Sequence, residues 1–407
     1  MAATRQRVPS VGPFELWKLA QVAVGLVGVG GLLFLIPLAI VDQGGTPADA
    51  GAVVALAGAL GLLGPFLGGF ADRFRAYRMV QLGSLTLLAV SAAVFAIATE
   101  ELTWLVAAAL LGIGMAGLSV ANPTLVVGAG LDEQGQAKAL SRLQMSVPVG
   151  QVIGLAAVAG MSAIGFSISV MFLVLAGIGA VLTLVVAAVN KPAVERLLAA
   201  PRAEESAAAP AVTLRTIFLS QFGLVLGLTV LIFMSASAIE GQYPNYMQQA
   251  FDIDPSMSAG ALSLIVLVMI PVFVLTGRWT ASSGPRAPLI VSAVVRTGAG
   301  VVLLLLPKES GLLALIVFGI IMLAHPLLEL NAATLAATTS PIGAGPGQGA
   351  VGAAIAVAAM LAAILAGWLA NAAGFASLAA ITVVTAAIAT VVAVLFLRAP
   401  APKGAPS

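Results

Sequence analysis

The sequence has no cysteine, a single histidine and few charged residues. Charged residues make up 8% of its 407 positions, which is about a third of the share that is usual in soluble domains. The absence of cysteine excludes disulfides, thiol nucleophiles and thiolate metal sites. One histidine without a partner cluster of carboxylates or nucleophiles gives no recognisable catalytic set. We therefore expect neither an enzyme nor a metal or other cofactor.

Apolar residues are abundant instead. They account for 60% of the chain, and the mean hydropathy is +1.11, so the chain carries more apolar surface than a soluble core can bury. The net charge is +2, but the basic residues are spread over the ends of apolar runs rather than clustered on one face, which does not indicate nucleic-acid binding. The composition predicts an integral membrane protein whose surroundings are the lipid bilayer.

Apolar runs long enough to cross a bilayer, for which a helix needs about 20 residues, recur along the whole chain. They lie near 16–41, 48–70, 77–98, 103–129, 141–162, 166–189, 214–239, 258–277, 287–306, 311–337, 348–370 and 374–397. The segment 190–213 is polar and rich in Ala and Pro, which predicts a partly helical, mobile linker. We expect an all-α membrane protein with a six-helix bundle over residues 1–189 and another over 214–407.

Lysine and arginine are distributed asymmetrically about these spans. The face that holds both termini carries sixteen of them, and the other face carries Lys308 alone. Basic loops are retained in the cytoplasm during insertion, so we expect both termini to be cytoplasmic and the protein to lie in the cytoplasmic membrane. The two sides are called the basic face and the opposite face below.

The two halves of the chain repeat weakly. Gln21 near the start of the first span recurs as Gln221 at the start of the seventh, and Arg78 recurs as Arg286 at the start of the ninth. Matches in the same order at nearly the same offset indicate duplication of a six-helix unit, as in many transporters.

The loop between the second and third spans carries a recognisable pattern. Residues 64–78 read GPFLGGFADRFRAYR, in which Gly68, Asp72, Arg73 and Arg78 follow in order. This stretch resembles the loop signature of the major facilitator superfamily, Gly-x-x-x-Asp-Arg followed by basic residues. The resemblance implies two six-helix bundles around a central cavity and transport by alternating access.

The resemblance also implies a conformational latch, in which Asp72 contacts neighbouring helix ends at the basic face and the arginines hold the halves together. Arg142, at the start of the fifth span, is a candidate partner of Asp72. Arg75 stands where the family usually has a glycine, so the loop backbone is a point of difference. Helix capping and topology are the alternative explanation for these residues.

Ionisable side chains inside the spans are the candidate coupling site, because each costs about 2.5–3.5 kcal/mol at the centre of a membrane helix. Arg296 lies in the ninth span, and His325 and Glu329 lie one helical turn apart in the tenth. We expect an Arg296–Glu329 ion pair and a proton relay with His325, since imidazole titrates near neutrality. The set is similar in kind to the proton-coupling group of lactose permease. A purely structural ion pair is the alternative.

Polar residues elsewhere in the spans are candidates for the substrate pathway, namely Gln21, Asn122, Gln221 and Asn331. Interhelical hydrogen bonds, worth about 0.6 kcal/mol on average in membranes, are the alternative for each. The aromatic segment YPNY at 243–246 is interpreted as an interfacial belt, with a gate as the alternative.

These features predict a monomeric secondary active transporter that moves a small solute, with H⁺ as the coupling ion. A moderately apolar or zwitterionic solute and export are the working hypotheses. The alternatives are an uncoupled facilitator, or a receptor or assembly factor that uses the same fold without transporting.

Overall fold

The fold is described from a computed structural model that covers residues 15–129, 131–199, 219–341 and 344–398. Twelve helices within these ranges are long and apolar enough to cross a membrane, which confirms the predicted number of spans. They are α1 (Leu16–Asp42), α2 (Pro47–Phe74), α3 (Tyr77–Ile97), α4 (Glu101–Val127), α5 (Lys138–Ala163), α6 (Ile168–Val189), α7 (Gln221–Glu240), α8 (Pro255–Ser283), α9 (Arg286–Leu305), α10 (Gly311–Thr339), α11 (Gly347–Ala373) and α12 (Ser377–Phe396). Helices α1–α6 form the N-half and α7–α12 the C-half.

Two shorter helices accompany the spans. The linker helix, Lys191–Ala199, follows α6. The extension helix, Tyr243–Phe251, follows α7 after a break at Gly241 and Gln242. Because the extension helix is buried along most of its length, it lies in the interior of the protein rather than on its surface.

The start of α2 shows why the chain becomes helical there. Thr46 accepts a hydrogen bond from the Asp49 amide at 3.2 Å, and the Asp49 carboxylate accepts one from the Thr46 amide at 2.7 Å. Pro47 occupies the first helical turn, where its missing N–H costs nothing. Asp254, which precedes Pro255 at the start of α8, makes no such side-chain bond, so α8 begins without this cap.

Helix α1 is irregular in the middle, where Val24–Leu32 is a π-helix. This segment packs against α5 through glycines. A Cβ added at Gly25 would lie 2.0 Å from the Val147 carbonyl oxygen, and one at Gly30 would lie 2.5 Å from that of Gln151. Side chains at either position would push α5 away, so the glycines hold the α5 backbone, and with it Gln151, close to α1.

Equivalent contacts in the two halves support the duplication. Arg78 at the start of α3 donates to the Ala187 carbonyl near the end of α6, at 2.9 Å. Arg286 at the start of α9 donates to the Val394 carbonyl near the end of α12, at 3.2 Å. Each half therefore ties its third helix to its sixth at the basic face.

The predicted linker begins as an ordered helix. Ala193 and Val194 are buried against Trp17 and Leu125, so the linker helix packs on the N-half. The rest of the predicted linker, 200–213, lies outside the described residues, and the domain boundaries remain a prediction.

The halves meet on the opposite-face side. Gln242 donates to the Pro47 carbonyl at 2.9 Å, and Asn245 donates to the Pro37 carbonyl at 2.8 Å. Deeper in the membrane, Ser263 of α8 donates to the Val152 carbonyl of α5 at 3.0 Å. Over the residues that the structure describes, no hydrogen bond joins the halves at the basic face.

Close helix packing accompanies these bonds. Gly51 of α2 lies against α11, where an added Cβ would stand 2.4 Å from the Ala363 carbonyl oxygen and 2.9 Å from Gly367 Cα. Only a small residue permits this approach. The described conformation is thus closed between the halves on the opposite face.

Candidate functional site

A cavity of about 350 Å³ lies between the two halves. Helices α1, α2, α4 and α5 line it from the N-half, and α7, α8, α10 and α11 line it from the C-half. Most of its wall is apolar or aromatic, with contributions from Val29, Leu33, Phe34, Met115, Phe233 and Leu262. Its size is at the lower end of the about 300–1,000 Å³ that is usual for small-molecule sites.

Glu240 lines this cavity and was not predicted as a site residue. It is the last residue of α7, at the point where hydropathy alone places the end of a span. Because the chain continues as the buried extension helix, Glu240 lies in the interior instead of at the surface. Among the described residues, its carboxylate has no hydrogen-bond or ion-pair partner.

Arg296 lies behind the cavity and is fully buried. Its Nη2 is 3.3 Å from His325 Nδ1, its Nε donates to Ser292 Oγ at 3.4 Å, and its Nη1 donates to the Ile232 carbonyl at 3.4 Å. Since a guanidinium only donates, Nδ1 of His325 accepts, and a neutral His325 then carries its proton on Nε2. Arg296 is thereby fixed by three contacts within the C-half.

The predicted Arg296–Glu329 ion pair is not formed in this conformation. The ion pairs of the described residues lie elsewhere, between Lys191 and Glu195 and between Arg196 and Glu15. Glu329 nevertheless interacts electrostatically with Arg296, as Glu240 does, and the two carboxylates also interact with each other. The side chain of α10 that contacts Arg296 directly is His325. Glu329 lies one helical turn further along α10 and makes no direct contact with the guanidinium.

A break in α10 positions His325. The helix is interrupted at Ala324, and Pro326 follows without an N–H to donate. The Ala324 carbonyl accepts a hydrogen bond from Ser292 Oγ at 2.8 Å. Phe233 packs against the imidazole edge to face, with ring centroids 4.9 Å apart. These contacts hold the histidine between Arg296 and the cavity that it lines.

The structure therefore brings the three predicted coupling residues into one region and adds Glu240 to them. We call Glu240, Arg296, His325 and Glu329 the charged cluster. It draws one residue from α7, one from α9 and two from α10, and Glu240 and His325 are its members on the cavity wall.

Two of the predicted pathway residues, Gln21 and Asn122, lie inside the N-half and not on the cavity wall. Asn122 donates to Gln21 at 2.8 Å, Gln81 donates to Asn122 at 2.8 Å, Asn190 donates to Gln81 at 3.1 Å, and Arg78 donates to Asn190 at 3.1 Å. These five residues, called the amide chain, are hydrogen-bonded inside the N-half. Gln21 and Asn122 do not line the cavity in this conformation. Their hydrogen bonds connect helices of the N-half, and a role in the substrate pathway stays a prediction.

The two predicted pathway residues of the C-half, Gln221 and Asn331, also do not line the cavity. Gln221 donates to the Phe396 carbonyl at 3.3 Å and accepts from the Arg398 amide at 3.2 Å, at the basic face. Asn331 accepts from Thr280 Oγ1 at 2.8 Å. Gln151 of α5 is an amide side chain that lines the cavity. It was not predicted as a site residue, because the small residues around it in the sequence indicate close helix packing.

The loop motif is well defined but not engaged across the halves. Asp72 accepts a hydrogen bond from the Tyr77 hydroxyl at 2.7 Å, and Arg73 lies over the Phe74 ring, 5.4 Å from its centroid. Arg142 is exposed. In the described part of the chain Asp72 makes no contact with Arg142. The latch remains a prediction for a conformation that is closed at the basic face.

Close packing and backbone geometry explain two further residues of the motif. A Cβ on Gly68 would lie 2.9 Å from Val120 Cγ1, so a small residue keeps α2 close to α4. Arg75 ends α2 with a left-handed φ of 52°. The residue thus adopts the backbone conformation that a glycine would adopt more easily.

The aromatic belt predicted at 243–246 is wrong. Tyr243 and Tyr246 are each 1% exposed, and Tyr243 stacks on Phe318 with ring centroids 4.4 Å apart. Tyr243 also lines the cavity. The short polar segment after α7 indicates a surface loop when the sequence is considered alone. In the structure this segment belongs to the extension helix, which places both tyrosine rings in the interior.

Solved transporter structures share this fold. The nucleoside transporter NupG aligns with a TM-score of 0.75 and 15% identity, over 94% of this chain and 97% of that one. A bacterial homolog to the human lysosomal transporter Spinster, in an inward-facing and occupied conformation, gives 0.67 and 14%, over 94% and 93%. The peptide transporter POT in complex with alafosfalin gives 0.71 and 14%, over 94% and 92%.

No curated protein sequence matches the chain significantly. Residues 19–344 and 226–407 each match the family described as Major Facilitator Superfamily, and together they span nearly the whole chain. The family match agrees with the twelve spans, with the cavity between two six-helix halves and with the resemblance seen in the loop motif. The chain belongs to the Major Facilitator Superfamily, and its fold is that of a membrane transporter.

Proposed function

We propose that this protein is a proton-coupled secondary transporter of a small solute that works by alternating access, with its basic face in the cytoplasm. The observation that carries the proposal is the charged cluster, of which Glu240 and His325 lie on the wall of the cavity between the halves. Family membership and fold support transport in general. The charged cluster is the basis for the coupling ion and for the class of solute that we propose.

The charges of the cluster favour proton binding. Two carboxylates, Glu240 and Glu329, act on the single guanidinium of Arg296. With both ionised and His325 neutral, the cluster carries one uncompensated negative charge in a largely apolar region. Such a charge is costly within a membrane, and one bound proton removes it. A proton can therefore enter or leave without disturbing the Arg296 contacts.

The location of the cluster connects this proton to the movement of the halves. Glu240 faces the N-half across the cavity, close to the contacts that close the opposite face. A change in its charge alters the polarity of the surface that the halves share, and so favours one arrangement of the halves over the other. Exchange of a proton for solute at the same cavity would then couple the two movements.

Proton movement in lightly buffered proteoliposomes tests the proposal. A panel of small apolar, zwitterionic and cationic solutes is added to vesicles with wild-type protein, Glu240→Gln, Glu329→Gln or the control Glu309→Gln, whose side chain is exposed in the α9–α10 loop. We expect solute-dependent proton movement in the wild type and the control, and its loss in the two cluster variants.

Other outcomes separate the alternatives. Solute movement without a proton signal, unchanged in Glu240→Gln and Glu329→Gln, would identify an uncoupled facilitator and overturn the coupling. Absence of movement for every class of solute, in protein that remains folded, would favour a receptor or assembly factor.

A further inference from the structure

We infer that the cavity binds a hydrophobic organic monocation, an amine with an apolar or aromatic body, and that its ammonium group and the coupling proton compete for the Glu240 carboxylate. This inference rests on the proposed transport function and gives it a substrate class. It differs from the zwitterionic or neutral solute expected from the sparse charge of the sequence.

The sign of the available charge is the first argument. Arg296 is the positive member of the cluster, but it is fully buried and its donors are directed to His325, Ser292 and the Ile232 carbonyl. It does not line the cavity. Glu240 does, and none of the described residues pairs with its carboxylate. A ligand in this cavity therefore meets an accessible negative charge and a shielded positive one.

Unpartnered polar groups are the second argument. Gln151 lines the cavity, is 9% exposed, and its side-chain amide has no hydrogen-bond partner within the described ranges. Ser237, one turn before Glu240 on α7, is 8% exposed and lines the same space. The polar atoms of both side chains are open to the cavity and are not among the fully buried ones. A ligand with an ammonium group and one further polar atom would bond to groups from both halves together.

The apolar wall is the third argument. Phe34 and Phe233 face the cavity from opposite halves, and Tyr243 also contributes to the wall. Aromatic rings attract a cation placed over their faces. Three aromatic side chains on the same cavity wall as Glu240 favour an organic cation over a hydrated metal ion, because the apolar body of the ligand replaces the water that the wall excludes.

Competition with the proton follows from the groups that face Glu240. These are Arg296, His325 and Glu329 from α9 and α10, and the Tyr243 ring from the extension helix. Without ligand, a proton on Glu240 or Glu329 balances the cluster. When an ammonium group binds beside Glu240, it supplies that positive charge, and the proton leaves to solvent. The charge in the cavity is the same before and after.

The test is binding of phenylbutylamine and of the uncharged phenylbutanol to detergent-solubilised protein, followed by calorimetry and by pH in weakly buffered solution. We expect the amine to bind at least tenfold more tightly than the alcohol, to release about one proton per bound molecule, and to bind more weakly as pH falls. In Glu240→Gln the preference for the amine and the proton release should disappear, while alcohol binding persists and shows that the cavity is intact. Glu309→Gln is the matched carboxylate control.

Equal binding of amine and alcohol, no amine binding up to its solubility, or an undiminished preference in Glu240→Gln would each overturn the inference. Proton-coupled transport of a neutral solute would then leave the proposed function standing. Conversely, amine binding with proton release but without any transport in proteoliposomes would support the site and contradict the transport function.

Discussion

The two halves of the molecule share their architecture but differ in what lies inside them. The N-half holds the amide chain, a series of side-chain hydrogen bonds that runs from Gln21 through three further amides to Arg78. The C-half holds the charged cluster, in which Arg296 is bonded and both carboxylates lie without direct partners among the described residues.

This difference indicates a division of labour. The amide chain satisfies its members within the protein, so it stabilises one arrangement of helices and gains nothing from a proton. With both carboxylates ionised, the charged cluster carries two negative charges and one positive charge. A bound proton or a cationic ligand would neutralise the remaining negative charge. The two halves thus offer similar scaffolds with different interior side chains, and in the proposed mechanism the C-half is the one that responds to a proton.

Arg296→Met gives the largest expected effect and tests the C-half side of the comparison. Removal of the guanidinium leaves His325 Nδ1 without its donor and leaves the two carboxylates without a nearby positive charge, while the Ile232 carbonyl still accepts from the Ser235 hydroxyl. An unsatisfied buried acceptor costs about 1–3 kcal/mol, and the repulsion between the two carboxylates adds to that cost. We expect a marked fall in the thermal unfolding midpoint in detergent and loss of transport. A variant that unfolds and transports like the wild type would show that the cluster is not organised around Arg296.

Gln81→Leu tests the N-half side. The substitution leaves Asn122 Oδ1 and Asn190 Nδ2 without partners, at a cost of about 1–3 kcal/mol. We expect a lower unfolding midpoint with unchanged stoichiometry of proton to solute. Loss of proton coupling in this variant would contradict the division of labour.

Arg78→Gln and Arg286→Gln compare equivalent positions directly. Arg78 donates to both Asn190 and the Ala187 carbonyl, whereas Arg286 donates to the Val394 carbonyl. Partly exposed bonds of this kind contribute about 0.5–1.5 kcal/mol each. We expect the N-half variant to lower the unfolding midpoint more than the C-half variant, and equal shifts would show that the amide chain does not depend on Arg78.

The smallest expected effect concerns the turns after α2 and α8. Arg75 has φ of 52° and Gly284, in the equivalent turn of the C-half, has φ of 77°. Arg75→Gly should stabilise the protein by up to about 1 kcal/mol, and Gly284→Ala should destabilise it by at least as much. Thermal unfolding of both variants measures this, with Ala76→Gly as a control that should not stabilise, since Ala76 has φ of −95°.

The sequence was sufficient for the fold. Hydropathy located the twelve spans to within a few residues, except that α7 begins at Gln221 in the described structure and α8 extends to Ser283 rather than to 277. Spacing in the two halves indicated a duplication. These signals are local or periodic, so a single sequence carries them in full. The loop motif likewise predicted the family.

The site was predicted only in part, for physical reasons. Arg296, His325 and Glu329 stand out because charge inside a span is rare. Glu240 does not, because hydropathy cannot distinguish the end of a helix at the surface from a break within the protein. Gln21 and Asn122 were assigned to the pathway because their partner Gln81 becomes visible only when three helices are brought together.

The measurement that tests the central claim most directly is the distance between spin labels on the opposite face as a function of pH. The chain has no cysteine of its own, so Glu101→Cys and Lys308→Cys place one label on each half at exposed sites. The account predicts a distance distribution that shifts as pH falls, a shift that is retained with Gln81→Leu and lost with Glu240→Gln and Glu329→Gln together. A shift that survives the loss of both carboxylates, or that depends on Gln81, would contradict it.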